Sequence, residues 1–148
     1  MSEIQILFGT ESGNAELVAD DIAATFTNAG VDARAVPMED FDIADLAGSG
    51  TVVVVTSTYG EGELPATTAP FVGALLETKP DLSSLRFAAF GLGDSSYETY
   101  NNAIDVVTKD LIGLGAQQLG DTGRHDAVSG ESFTDAATNW TKTIVDHL

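Results

Sequence analysis

Ile4-Gln5-Ile6-Leu7-Phe8 is followed by Gly9-Thr10-Glu11-Ser12-Gly13-Asn14-Ala15, and the junction of these two runs decides how the rest of the chain is read. The first run is short, apolar and β-prone, the pattern of a buried strand. The second is a turn of hydroxyls, an amide and glycines, and a helical pattern opens straight after it. A strand that feeds a glycine-bearing loop and then a helix makes an anion site, because the loop N–H groups and the helix N-terminus converge on one place. The loop carries no Lys or Arg. It is not a Walker A loop, which ends in Gly-Lys-Ser/Thr, and Gly9 and Gly13 do not fit the G-x-G-x-x-G of dinucleotide sites. A cradle of neutral donors suits a phosphate monoester that is held and not transferred. A Ser or Asn N-cap on an ordinary helix would look the same locally, so the reading depends on the rest of the chain.

Working outward, Val18, Ile22 and Phe26, with Ala15 and Ala19, share one helix face, and Gly30 is placed to cap that helix. Val31 to Val36 reads as a second, weaker strand carrying Asp32 and Arg34 and ended by Pro37. Phe41 to Leu46 holds at most a helical turn, broken by Gly48-Ser49-Gly50. Val52-Val53-Val54-Val55 is a fully buried third strand, and Ser57 to Pro65 is a long loop. Phe71, Val72, Leu75 and Leu76 stripe a second helix. Phe87-Ala88-Ala89-Phe90 is a fourth strand, with a loop from Gly91 onward. Tyr100, Ala103, Ile104, Val107, Leu111 and Leu114 stripe a third helix that Gly115 caps. Ala116 to Leu119 is a short polar fifth strand, followed by a loop. Phe133, Ala136, Ala137, Trp140 and Ile144 then stripe the last helix, with Trp140 in the core.

Strand and helix alternate throughout, which implies a doubly wound α/β fold: a five-stranded parallel sheet between two helical layers, α/β/α. Strands one, three and four are near-continuous apolar runs, as central parallel strands are. Strands two and five carry polar residues, as edge strands do. The spatial order is therefore 2-1-3-4-5, with a topological switch between strands one and three and a ligand site outside their carboxyl ends.

The 148 residues fit one domain, 1–148, with a sizeable core. There is no Cys, which excludes disulfides, thiolate metal sites and a Cys nucleophile. His125 and His147 are too far apart and too poorly accompanied to suggest a metal centre. No signal peptide or membrane span is legible, so a cytoplasmic protein that does not bind membranes is expected. The net charge of −17 argues against nucleic acid and for basic protein partners. Adaptation to high salt would leave the same imprint on composition.

The loops after strands one, three and four are the unusual ones. The second is Ser57-Thr58-Tyr59-Gly60-Glu61-Gly62-Glu63-Leu64-Pro65, and the third is Gly91-Leu92-Gly93-Asp94-Ser95-Ser96-Tyr97-Glu98-Thr99-Tyr100-Asn101. Each sets a Tyr among glycines and hydroxyls just past a buried strand. A Tyr so placed suits stacking on a flat ring. One Tyr from each loop could sandwich a planar heterocycle whose phosphate sits in the first loop, which describes a mononucleotide with a flat ring system.

With these motifs in place the chain resembles a short-chain flavodoxin over its whole length. Thr10, Ser12, Gly13 and Asn14 resemble that family's FMN phosphate loop. Thr58-Tyr59-Gly60-Glu61-Gly62 resembles the flavin-flanking loop of MioC-type flavodoxins and of the FMN domains of diflavin reductases, and Gly91 to Tyr97 resembles the third flavin loop. The resemblance implies noncovalent FMN and one-electron transfer between a basic-surfaced flavoprotein reductase and an acceptor redox protein, by a monomer with no substrate site of its own. It places the cofactor against Thr10, Glu11, Ser12, Gly13, Asn14 and Ala15; against Ser57, Thr58, Tyr59 and Gly60; and against Leu92, Gly93, Asp94, Ser95, Ser96, Tyr97, Tyr100 and Asn101. Tyr97 would cover one ring face and Tyr59 the other, where many relatives have Trp in the second loop. The Gly60 carbonyl is the candidate to turn toward flavin N5 after the first electron, since glycine lacks the Cβ that would resist the flip. Glu61, Glu63, Asp94 and Glu98 would disfavour the anionic reduced flavin and make the carrier low in potential. Asp121 or Asp126, after the last strand, is expected near the cofactor. Two alternatives are an FMN domain related to a larger reductase and a flavin-free binding or regulatory domain. A receiver would need an acidic pair after strand one, an Asp after strand three and a Lys after strand five, where this chain has Gly9-Thr10, Ser57-Thr58 and Gly120-Asp121. The initial Met and the complete last helix favour a stand-alone protein.

Overall fold

β3 (Thr51–Ser57) and β4 (Arg86–Gly93) form the centre of a parallel sheet, and their residues explain the placement. Val52 to Val55 and Phe87 to Ala89 are fully buried, with alternate residues supplying the cores on the two faces, the demand that a doubly covered parallel strand makes. The structure is a computed structural model that describes residues 4–9, 14–46, 48, 50–57, 68–93, 102–126 and 132–147. β1 (Ile4–Gly9) lies beside β3, and β2 (Ala33–Pro37) lies beyond it at one edge. The order is β2-β1-β3-β4-β5, as the distribution of polar and apolar strands implies.

Helices α1 (Asn14–Asn28) and α4 (Phe133–Val145) cover one face. Helices α2 (Ala69–Thr78) and α3 (Asn102–Gly113) cover the other. At the amino edge of the sheet, α1 and α3 end in the same way. Gly30 (φ 85°) lets Val31 N donate to Phe26 O at 2.9 Å, and Gly115 (φ 105°) lets Ala116 N donate to Leu111 O at 3.1 Å. Both are the left-handed closures that glycine allows without steric cost.

Four details differ from the sequence reading. β2 starts at Ala33, two residues later than expected, though it ends at Pro37 as expected; residues 38–40 add a turn of 3₁₀ helix ahead of the expected turn, which falls at 43–45. Leu76 is 54% exposed and does not belong to the core stripe of α2. Gly91 to Gly93 continue β4 and do not open a loop. The fifth strand position is split: β5 is only Gln117–Gln118, against Arg86 and Phe87, and β6 (Gly123–Asp126) resumes against Phe90 to Gly93. The chain leaves the sheet at Gly120 (φ 64°). The half-buried Trp140 ring lies over the return, edge-on to Phe90 with centroids 5.3 Å apart, and its Nε1 donates to Asp121 O at 3.0 Å. A Cβ on Gly123 would come within 2.6 Å of that ring, so only glycine fits where the strand restarts.

Candidate functional site

Gly9, Thr56, Gly91 and Arg124 stand in one row across β1, β3, β4 and β6. Just beyond that row all four strands end. The connections that leave there are residues 10–13, 58–67, 94–101 and 127–131, and the first three carry most of the three stretches singled out in the sequence. Strands β1 and β3 are neighbours, yet α1 packs on one face of the sheet and α2 on the other. The β1/β3 pair is therefore the topological switch point, outside whose carboxyl ends doubly wound folds bind ligands.

Of the expected cofactor contacts, Thr10, Glu11, Ser12, Gly13, Thr58, Tyr59, Gly60, Asp94, Ser95, Ser96, Tyr97, Tyr100 and Asn101 lie outside the described residues. The rest frame the row. Asn14 is the first residue of α1 and Ala15 is fully buried beneath its first turn. The four leading N–H groups of a helix have no partner within it, so this end of α1 offers donors where the 10–13 connection arrives. Ser57 ends β3 and Gly93 ends β4. Leu92 is 7% exposed, with its side chain in the core under α4, so it can offer the edge only its backbone. Asp126 ends β6 in register with Gly93, at the edge itself. Asp121 sits between β5 and β6, back toward the middle of the sheet, with its carbonyl held by Trp140. Of the two acids left open by the sequence, Asp126 is the one at the strand ends.

The fold also makes side-chain pairs that the sequence reading did not anticipate. Thr56 and Thr68 are both fully buried, and their hydroxyl oxygens are 2.8 Å apart. Arg124 reaches across to Asp105 of α3 at 2.6 Å, an ion pair with both partners partly exposed. His125 is buried and edge-on to Phe133. The buried Thr pair leaves only a faint trace in the sequence, a Thr two residues before the proline that opens a helix.

These features fit a mononucleotide such as FMN: a helix N-terminus reached through a connection that carries no Lys or Arg for the phosphate, and a row of strand ends for a flat ring. Among the described residues no group of His, Asp and Glu could hold a metal ion, and no helix is long and apolar enough to cross a membrane.

Comparison with known proteins agrees. A family model described as Flavodoxin matches residues 6–140. Protein MioC of Escherichia coli O157:H7 is 36% identical over 150 residues, covering 100% of this chain and 99% of that protein. An NADPH-dependent diflavin oxidoreductase of Cryptococcus neoformans is 34% identical over 144 residues, covering 95% of this chain but only 23% of that protein. Among solved structures, oxidised Flavodoxin 2 of Bacillus cereus superposes with a TM-score of 0.87 at 25% identity, covering 99% of this chain and 100% of that one.

Proposed function

The chain belongs to the flavodoxin family of FMN-binding electron-transfer proteins, and on that premise we propose that it is a free, monomeric, cytoplasmic carrier that takes single electrons from a flavoprotein reductase to an acceptor protein. The observation that carries this reading is the row of four strand ends at the β1/β3 switch point. Thr10, Ser12, Asn14 and the leading N–H groups of α1 hold the phosphate through neutral donors. Tyr59 and Tyr97 flank the ring and shield its faces from water, and Gly60 offers its carbonyl to the ring edge. Bound FMN supplies the redox chemistry; the protein binds, orients and tunes it. Nothing in the sequence supplies a nicotinamide site or a general acid–base pair, which supports a carrier over an enzyme with its own substrate. The charge of −17 favours encounter with basic partner surfaces.

Stepwise anaerobic reduction of the FMN-loaded protein, followed in the visible, tests the reading. Flavin bands, with a long-wavelength band that grows and then decays, are expected of a one-electron carrier. A chain that shows no flavin bands even after soaking with FMN would overturn the reading and leave a flavin-free binding domain. The match to a fragment of a diflavin oxidoreductase supports a second reading, an FMN domain of a larger assembly. A separate reductase that reduces this chain, which then reduces a separate acceptor protein, decides for the free carrier.

A further inference from the structure

Thr68 occupies the N-cap of α2 but does not cap it: its side chain makes no bond to the N–H groups of the first turn. A Thr in that position ordinarily directs its hydroxyl there. Here the hydroxyl turns to the sheet and meets Thr56 Oγ1 at 2.8 Å, and both residues are completely buried. Thr56 is the next-to-last residue of β3, and Thr68 is the first described residue after 58–67. The hydrogen bond therefore closes the base of the connection that carries Tyr59 and Gly60.

The same hydroxyl is fitted to the end of β1. Gly9 is in register with Thr56. A Cβ built on Gly9 would overlap Thr68 Oγ1 and come within 3.0 Å of Thr68 Cβ and of Met38 Sδ. Gly9 is the residue from which the phosphate connection 10–13 departs. One buried side chain thus touches the roots of two of the three segments expected to hold the cofactor.

We infer that Thr68 is a positioning residue for FMN: seated against Gly9 and bonded to Thr56, it sets the spacing between the phosphate connection and the flavin-flanking connection before the cofactor arrives. A site held in its bound geometry loses less freedom on binding and binds more tightly. The inference rests on FMN being the ligand and goes beyond it, because Thr68 need not touch the flavin.

The test is FMN titration of the apoprotein by quenching of flavin fluorescence, beside thermal melts without FMN. Thr68→Val keeps the shape but removes the hydroxyl that bonds Thr56, and the loosened spacing of the two connections is expected to raise Kd severalfold. Thr68→Ser keeps the oxygen and is expected to stay within about twofold of the unaltered chain. Gly9→Ala should also weaken FMN binding, and adding Thr68→Ala, which removes the overlapping oxygen, should recover part of the loss. Thr68→Ala alone serves if Thr68→Val does not fold. A fall in melting temperature with unchanged Kd in the valine or alanine variant would make the residue merely structural and overturn the inference. Full uptake by every variant overturns this inference alone. An unaltered chain that takes up no FMN overturns the cofactor assignment and this inference with it.

Discussion

The two edges of the sheet are built from different materials. At the amino edge the connections are short and held by backbone hydrogen bonds. Leu82 N donates to Leu114 O at 3.0 Å, Arg86 N to Gly50 O at 2.9 Å and Ile4 N to Asp32 O at 2.9 Å. At the carboxyl edge two connections, 58–67 and 94–101, are longer, and the connections there are rich in Ser, Thr, Gly and acids. The aromatic residues divide the same way. The seven Phe all lie in the described body of the fold, whereas Tyr59, Tyr97 and Tyr100, the only three tyrosines, all belong to carboxyl-edge connections. Rings that only have to exclude water went into the body. Rings with a polar handle went where a ligand's flat face and its solvent-exposed margin would meet. On the proposed site the contrast assigns stability and binding to opposite ends of the same strands, and that assignment can be broken by experiment.

The largest effect should come from the amino half. Phe87 is fully buried in register with Val52 and Gln118, and Phe87→Ala should cost about 3–5 kcal/mol of folding stability. Urea unfolding of the apoprotein reads this loss, while the folded fraction should bind FMN as before. A changed FMN affinity would show that the two edges are coupled. Next, Tyr97→Ala should weaken FMN binding by roughly 1–3 kcal/mol with little change in apoprotein melting, and unchanged affinity would remove Tyr97 from the ring site.

Smaller still, Glu61→Gln and Glu63→Gln should each raise the second one-electron potential. A carboxylate about 10 Å away at an effective dielectric of about 40 opposes a reduced, anionic ring by roughly 0.8 kcal/mol, or about 35 mV. Spectroelectrochemistry at low salt reads the shift, and no rise would mean that these acids do not face the ring. The smallest effect belongs to Asp81 at the amino edge, whose Oδ1 accepts from Ser83 N at 3.1 Å. The backbone and side-chain hydrogen bonds from Ser83 hold its carboxyl below the ordinary value of 3.8. A folded value below the unfolded one stabilises above the ordinary value and loses that contribution as pH falls through the folded value. Asp81→Ala should therefore lower the melting temperature slightly at pH 7, with the gap closing in acid. A gap independent of pH would assign the effect to something other than the carboxylate.

How much of this was legible in advance follows from the range of the interactions. Strand and helix order, the central place of Val52–Val55 and Phe87–Phe90, the glycine closures at Gly30 and Gly115 and the 2-1-3-4-5 order were all readable. They depend on hydrophobic period and on local backbone preference, which neighbouring residues determine among themselves. The split of the fifth strand was not readable. It depends on Trp140 arriving from the last helix to lie over Gly123 and bind Asp121 O, a contact between segments that share no local pattern. The choice of Asp126 over Asp121 at the strand ends needed the register with Gly93. The Thr56–Thr68 pair needed two buried hydroxyls from a strand and a helix to meet over a glycine on a third element. The sequence alone determined which segments would be buried and which would connect them at the carboxyl ends of the strands. Only the tertiary structure decided which side chains meet across them, because that meeting is set by packing between elements and not by the preferences within any one of them.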